Sequence, residues 1–315
     1  MDNSMTKNNI NRIIELDILK AMGMYFIVLG HILPPPDSIF LYVFNVPLFF
    51  LISGCLTKRY SNSVFLKKIW QTLVIPCIIL FILSLFIDMV LGYIAMERGM
   101  EKITKSLLGS QSNLGTLWFV YTLIIVRFLY QYLSNKLSIL LSLIFILITI
   151  VFQKNLAGYR NACIDVLLAY PVFMAGTYLK KYMKYPITRS WLYCLIILGA
   201  FAIIFCGKYN SWVMMFDCSF GKNIILFFFG GIMGSIGLYS LCKLIPIRKY
   251  SGLFTVIAEG NILILAMHPF ITRFVPDSYH PIVYWLIAGI IILLFIPIIM
   301  LIKRFCPYAI GLRKN

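Results

Sequence analysis

Apolar runs, broken by short clusters of Pro, Gly or charge, follow one another along nearly the whole chain and predict spanning helices at 16–34, 39–57, 70–95, 114–133, 137–152, 162–180, 190–206, 221–243, 252–273 and 281–302. At about 20 residues per span, ten spans consume about 200 residues. Only short loops and tails remain, so any chemistry sits among the spans. The fifth run is short. The eighth contains Gly230-Gly231-Ile232-Met233-Gly234, a stretch of small residues that marks close helix packing. The opening run, Met1 to Asn11, is too polar for a signal peptide, and the apolar stretch after it lacks a small-residue cleavage site. The first span is therefore expected to stay as a signal anchor. The predicted fold class is all-α, one polytopic membrane domain over residues 1–315 with about ten transmembrane helices.

Composition agrees with this pattern: 61% of residues are hydrophobic and 12% charged, about half the charge of an ordinary soluble domain. The net charge of +17 does not point to nucleic acid, because a basic patch needs a soluble face on which to lie. It reads as topology. With the amino terminus inside, the cytoplasmic segments hold about nineteen of the 28 basic residues and the outer segments about eight, with Lys20 left inside the first span. Both termini are thus expected in the cytoplasm. The eight cysteines are scattered singly without CxxC spacing, which suits core-filling thiols rather than a zinc site or a disulfide framework. No internal repeat stands out.

Ionisable groups within spans cost a few kcal/mol each to insert, so each asks for a pairing or a functional explanation. The first span holds Asp17, Lys20 and His31. At about 100° per residue, Lys20 and His31 point within about 20° of each other and Asp17 within about 60° of both, with about 16 Å between Lys20 and His31 along the axis. One face of this helix should line a deep, elongated polar cavity. The bland alternative is an interfacial Asp17–Lys20 pair and a helix-end histidine before Pro34-Pro35-Pro36. A second histidine, in Ala266-Met267-His268-Pro269, should reach similar depth, with Asn261 on nearly the same face. Glu259 points the other way and should pair with a basic group or face the inner interface. Asn45, in Phe44-Asn45-Val46-Pro47, should lie near the histidines, and Ser53-Gly54 should allow close backbone approach towards the inner end. Trp118 lies in an outer half, either on the site or as an aromatic-belt anchor. Asp88 and Asp165 are outer carboxylates left between pairing with Arg160 or a histidine and facing water.

These residues together resemble the integral-membrane acyltransferase 3 family. The first span, Glu15-Leu16-Asp17-Ile18-Leu19-Lys20 to Val28-Leu29-Gly30-His31, is similar to the family's opening motif of Asp, then Arg or Lys, then ten residues and His. Asn45-Val46-Pro47-Leu48-Phe49-Phe50-Leu51-Ile52-Ser53-Gly54 resembles its Phe-His-Met/Val-Pro-x-Phe-Phe-x-x-Ser-Gly signature. Leu117-Trp118-Phe119, Tyr170-Pro171-Val172-Phe173-Met174-Ala175-Gly176 and Met267-His268-Pro269 follow in order. Two positions depart from the pattern. Lys20 stands where many members have Arg and exchanges a bidentate fork for a point charge; Lys is familiar in the branch resembling fucose O-acetylases. Asn45 replaces a frequent His, leaving an amide that can orient a hydroxyl but not titrate.

The resemblance implies a cell-membrane enzyme, of the bacterial cytoplasmic membrane, that moves an acetyl group from cytoplasmic acetyl-CoA to a surface polysaccharide or a lipid-linked glycan. It makes His31 the catalytic base, with an acyl-carrying nucleophile as the alternative role, and puts Asp17 and His268 in the catalytic set with no metal. Lys20, Arg59, Lys67 and Lys68 become candidates for the donor's phosphates at a basic cytoplasmic mouth, and Asn45, Trp118 and Asn261 for the acceptor. Acyl transfer needs a base for the hydroxyl proton, donors for the oxyanion and a means of holding both substrates, and histidine titrates near physiological pH. The partners implied are acyl-CoA, a glycan and membrane lipids, with no nucleic acid. The rival from another class is a secondary transporter or glycan exporter of the same topology.

Overall fold

Each of the ten apolar runs meets a helix in the structure, a computed structural model that describes residues 13–92, 99–110, 115–156, 158–182, 185–245 and 251–312. The polar run Met1–Asn11 and the basic residues Arg12, Arg98, Lys184, Arg248, Lys249, Arg313 and Lys314 lie outside the described residues. The helices are α1 (Ile14–Ile32), α2 (Ile39–Tyr42), α3 (Asn45–Leu56), α4 (Asn62–Ile69), α5 (Ile75–Val90), α6 (Gly99–Leu107) and α7 (Trp118–Tyr132). They continue as α8 (Asn135–Val151), α9 (Gln153–Leu156), α10 (Val166–Tyr182), α11 (Arg189–Tyr209), α12 (Ile224–Leu244), α13 (Ser251–Glu259), α14 (Asn261–Thr272) and α15 (Pro281–Phe305). Among the described residues, five helical stretches are long and apolar enough to cross a membrane, or six when the bent pair α13 and α14 is one span. The helix α1 has the length but carries Glu15, Asp17 and Lys20, and α8 and part of α10 form shorter apolar helices. The protein is an all-α, multi-pass membrane protein. Large apolar side chains such as Ile82, Phe86, Leu147, Ile204, Leu286 and Leu294 stand exposed on its outside, as a lipid-facing surface requires.

Three predicted spans are interrupted, each for a local reason. The second breaks at Phe44 (φ −132°, ψ −19°); three residues on, Pro47 has no N–H to donate. The Asn45 side-chain oxygen accepts the Val46 N–H at 2.7 Å, restarting the chain as α3. The third begins earlier than predicted, at Asn62, and widens into a π-helical turn at Trp70–Val74. Pro76 follows, lacking the N–H that an α-helix would direct to the Thr72 carbonyl. The ninth bends by 77° between α13 and α14, at Gly260, where a β-carbon would stand 2.2 Å from Ile299.

Glycines bring the helices together. A β-carbon on Gly54 would lie 2.0 Å from the Phe173 carbonyl oxygen, and one on Gly176 would lie 2.1 Å from that of Leu51, so α3 and α10 pack backbone to backbone. Gly199 and Gly237 do the same for α11 and α12, at 2.7 Å. The Gly-rich run of α12 admits Val43 against Gly230 and Pro47 against Gly231. Around these contacts α1 packs on α13, α14, α15, α12 and α3, so the face bearing Lys20 and His31 is turned inward. Four cysteines, Cys55, Cys206, Cys218 and Cys242, fill the core as expected, whereas Cys163, Cys194 and Cys306 are exposed.

Candidate active site

An elongated cavity of about 420 Å³ runs along α1, with Lys20 and His31 both on its wall. Their separation of eleven residues corresponds to about 16 Å of helix, so the cavity has the axial form expected. The half at the Lys20 end, here called inner, is polar, with Lys20, Ser53, Thr57, Thr72, Arg127 and Glu259; Val46, Phe49, Phe119 and Leu265 make the other, outer half apolar up to His31. The interrupted helices supply much of this polarity, because Thr72 lies in the π-helical turn and Glu259 and Asn261 flank the bend at Gly260. Thr116, next to the outer end, donates its hydroxyl to the Leu265 carbonyl.

At the outer end the rings of His31 and His268 lie 4.8 Å apart, tilted by 55°. His31 opens to the cavity, whereas His268 is fully buried. The His268 Nδ1 sits 2.9 Å from the Ile264 carbonyl oxygen. A carbonyl only accepts, so Nδ1 carries the proton and Nε2 keeps its lone pair. That Nε2 is buried and has no hydrogen-bond partner among the described residues. The end of α1 is clamped by the Tyr42 hydroxyl, which donates to the Gly30 carbonyl at 3.1 Å.

The family model described as acyltransferase domain, of the acyltransferase 3 type, matches residues 13–304. The chain belongs to this family. It is thus a membrane acyltransferase, and the match covers every α-helix that lines the cavity. No curated protein and no solved structure matches the chain.

Within the acyltransferase, the residues singled out from the sequence divide into those on the cavity and those away from it. Lys20, His31, Trp118 and Asn261 line it; Trp118 is buried and its ring meets Phe216 at 6.1 Å, so it belongs to the wall rather than to a belt. The Asn261 Oδ1 is buried without a partner among the described residues. Asp17 is off the wall and forms an ion pair with Lys20 at 3.9 Å. Asn45 is buried against Gly30, one residue from His31, with its amide oxygen spent on the Val46 N–H. Glu259 pairs with Lys303 at 2.6 Å while touching the cavity. Asp88 pairs with Lys102 at 2.7 Å and with Arg273 at 3.9 Å, and Arg160 takes Asp217 instead, at 2.8 Å.

The basic mouth is built differently from the expectation. Arg59 donates to the Leu133 carbonyl and lies 4.8 Å from the Tyr130 ring centre, and Lys67 borders a separate outer groove beside Trp70 and Phe128. Lys68 stands 3.8 Å over the Tyr60 ring and, by hydrogen bonding to it, holds the Tyr60 phenol below its usual pKa. None of these three is on the cavity wall. The cation that joins Lys20 there is Arg127, whose Nε is buried without a partner among the described residues. By position in the sequence Arg127 falls among the about nineteen basic residues counted to the cytoplasmic segments. The available signal was its position inside the apolar run Ile124-Ile125-Val126-Arg127-Phe128-Leu129, where a charge asks for a function.

Proposed function

We propose that this acyltransferase moves an acetyl group from cytoplasmic acetyl-CoA to a hydroxyl of a cell-surface glycan or its lipid-linked precursor, in the cytoplasmic membrane of a bacterium. The observation that carries the reading is one cavity with two cations in its inner half and a paired histidine at its outer end. Lys20 and Arg127 suit the donor's phosphates, the guanidinium as a fork and the ammonium as a point charge. The thin pantetheine arm then fills the narrow apolar stretch and brings the thioester to His31, where the acceptor arrives from outside.

In the proposed step His31 accepts the proton of the acceptor hydroxyl as its oxygen attacks the thioester carbonyl. The tetrahedral intermediate collapses with cleavage of the C–S bond, and the proton passes to the departing thiolate to give free CoA and the O-acetyl ester. His268, held in one tautomer by Ile264, packs its ring beside that of His31 and steadies its orientation. Asp17 holds Lys20 in place by ion pairing, and Trp118 and Asn261 offer an aromatic face and an amide to the substrates.

The test is transfer of radiolabel from acetyl-CoA to glycan in membranes carrying wild type or His31→Ala. Label on the glycan that disappears in the variant, with insertion unchanged, is the expected result. Full acetylation by His31→Ala rejects His31 as the base; glycan movement across the membrane with no label favours the exporter.

A further inference from the structure

The π-helical turn after α4 has two faces. Thr72 and Leu73 line the main cavity, whereas Trp70 and Val74 line a shallow groove of about 490 Å³ on the outside of the protein. On α7 the division repeats between neighbours, with Arg127 on the cavity and Phe128 in the groove. Leu66, Lys67 and Ile69 of α4 complete the groove. Its floor is firm, because the Phe128 ring meets Phe65 edge-on at 5.1 Å and stacks with Tyr132 at 6.2 Å. Leu66 and Trp70 are 48% and 55% exposed, at the start of a stretch, Asn62–Val90, apolar enough to cross a membrane. An apolar groove in that position takes up hydrocarbon rather than water.

Among the described residues lining the groove, Lys67 alone is charged. More positive charge gathers close by: Lys68 hydrogen-bonds the Tyr60 phenol, and the charges of Lys68, Lys58 and Arg127 reach it as well. No carboxylate answers them from the helices that form the groove, since residues 38–87 and 102–164, which include α4, the π-helical turn, α7 and α8, contain no Asp or Glu. A zwitterionic headgroup would bring its own ammonium against these lysines, whereas an anionic one meets only opposite charge. We propose that the groove binds an anionic glycerophospholipid of the phosphatidylglycerol type. One acyl chain lies along Leu66, Trp70, Val74 and Phe128, and the phosphate meets Lys67, whose aliphatic stem rests on the groove while its ammonium reaches the headgroup layer. Trp70 sits where an indole favours the membrane interface. Only the π-helical turn and α7 separate this lipid from the cavity, so it braces the wall that carries Thr72 and Arg127. The inference is independent of the acyl donor and of the acceptor.

The probes are dioleoyl phosphatidylglycerol and the phosphatidylcholine with the same chains, titrated into the delipidated full-length protein in a neutral detergent and followed by native mass spectrometry. Wild type should bind phosphatidylglycerol about fivefold more tightly than phosphatidylcholine, the ratio that one well-placed cation implies. Lys67 is exposed, so Lys67→Glu keeps the fold, checked by melting; it should lose that preference and leave phosphatidylcholine binding unchanged. Val74→Trp fills the groove and should weaken both lipids. Phosphatidylglycerol should also raise the melting temperature of wild type but not of Lys67→Glu. Equal affinity of wild type for the two lipids, or a preference that survives Lys67→Glu, overturns the site. An equal loss in Lys222→Glu, at an exposed position of another loop, reduces the preference to net charge and overturns it too. A mass of two chains that persists without lipid and disappears in Val74→Trp would give the groove to a second copy of the protein instead.

Discussion

The two histidines differ in what their surroundings permit. His31 is reachable from the cavity, while His268 is sealed off with one nitrogen committed to Ile264. A buried ring in one tautomer acts through its neighbour, so His268→Ala should lower kcat by about 10²-fold, at the lower end of what acid–base groups contribute, with KM for the donor nearly unchanged. Steady-state kinetics with acetyl-CoA check this, and a change confined to KM would reject the role. Arg127→Ala should instead raise the donor KM about tenfold, as loss of one charge-assisted bond implies, and Arg59→Ala should not, because Arg59 is held at Leu133 and Tyr130. Equal effects of the two substitutions would return the phosphate site to the surface. Both histidines were legible in the sequence because a titratable group in an apolar run is costly wherever it lands. Arg127 was not, since a basic residue near the inner end of a span also serves topology, and only the rotation of α7 decides whether it faces a cavity.

Among the helices, close approach rather than hydrogen bonding fixes the frame that carries these side chains. At Gly176 the obstacle to a side chain is the Leu51 carbonyl at 2.1 Å, which is backbone and has nowhere to go. Gly176→Ala should therefore cost about 1–3 kcal/mol, read as a lower melting temperature in detergent. Gly252→Ala, with nothing within 4 Å of the added carbon, should leave melting unchanged or raise it, as helix propensity favours Ala; an equal loss at both positions would show that close packing does not set the cost. The small residues announced tight packing from the sequence, and Ser53-Gly54 its place. The interruptions at Phe44 and Gly260 were hidden inside runs whose hydropathy is continuous. Apolar composition reports that a segment is dry; it does not report whether its backbone is straight.

For the whole molecule, the excess of Lys and Arg on alternate loops predicts that both termini lie in the cytoplasm. A fluorescent protein that matures only in the cytoplasm, fused after Asn315, should fluoresce, and an alkaline phosphatase fused there should stay inactive. The reverse pattern would put the carboxy terminus outside and overturn that orientation. The sequence by itself determined that the chain is an all-α membrane protein, roughly where its helices lie, and that its chemistry sits among buried polar groups. These follow from the transfer of each segment from water to lipid, a cost that is local and nearly additive. Only the tertiary structure decided that the ring of His268 comes within 4.8 Å of that of His31, that Arg127 replaces Arg59, Lys67 and Lys68 at the cavity, and that Ile310 joins its wall. Those outcomes depend on how each helix is rotated, bent and packed against the others, and helix packing in lipid is set by contacts between residues far apart in the chain.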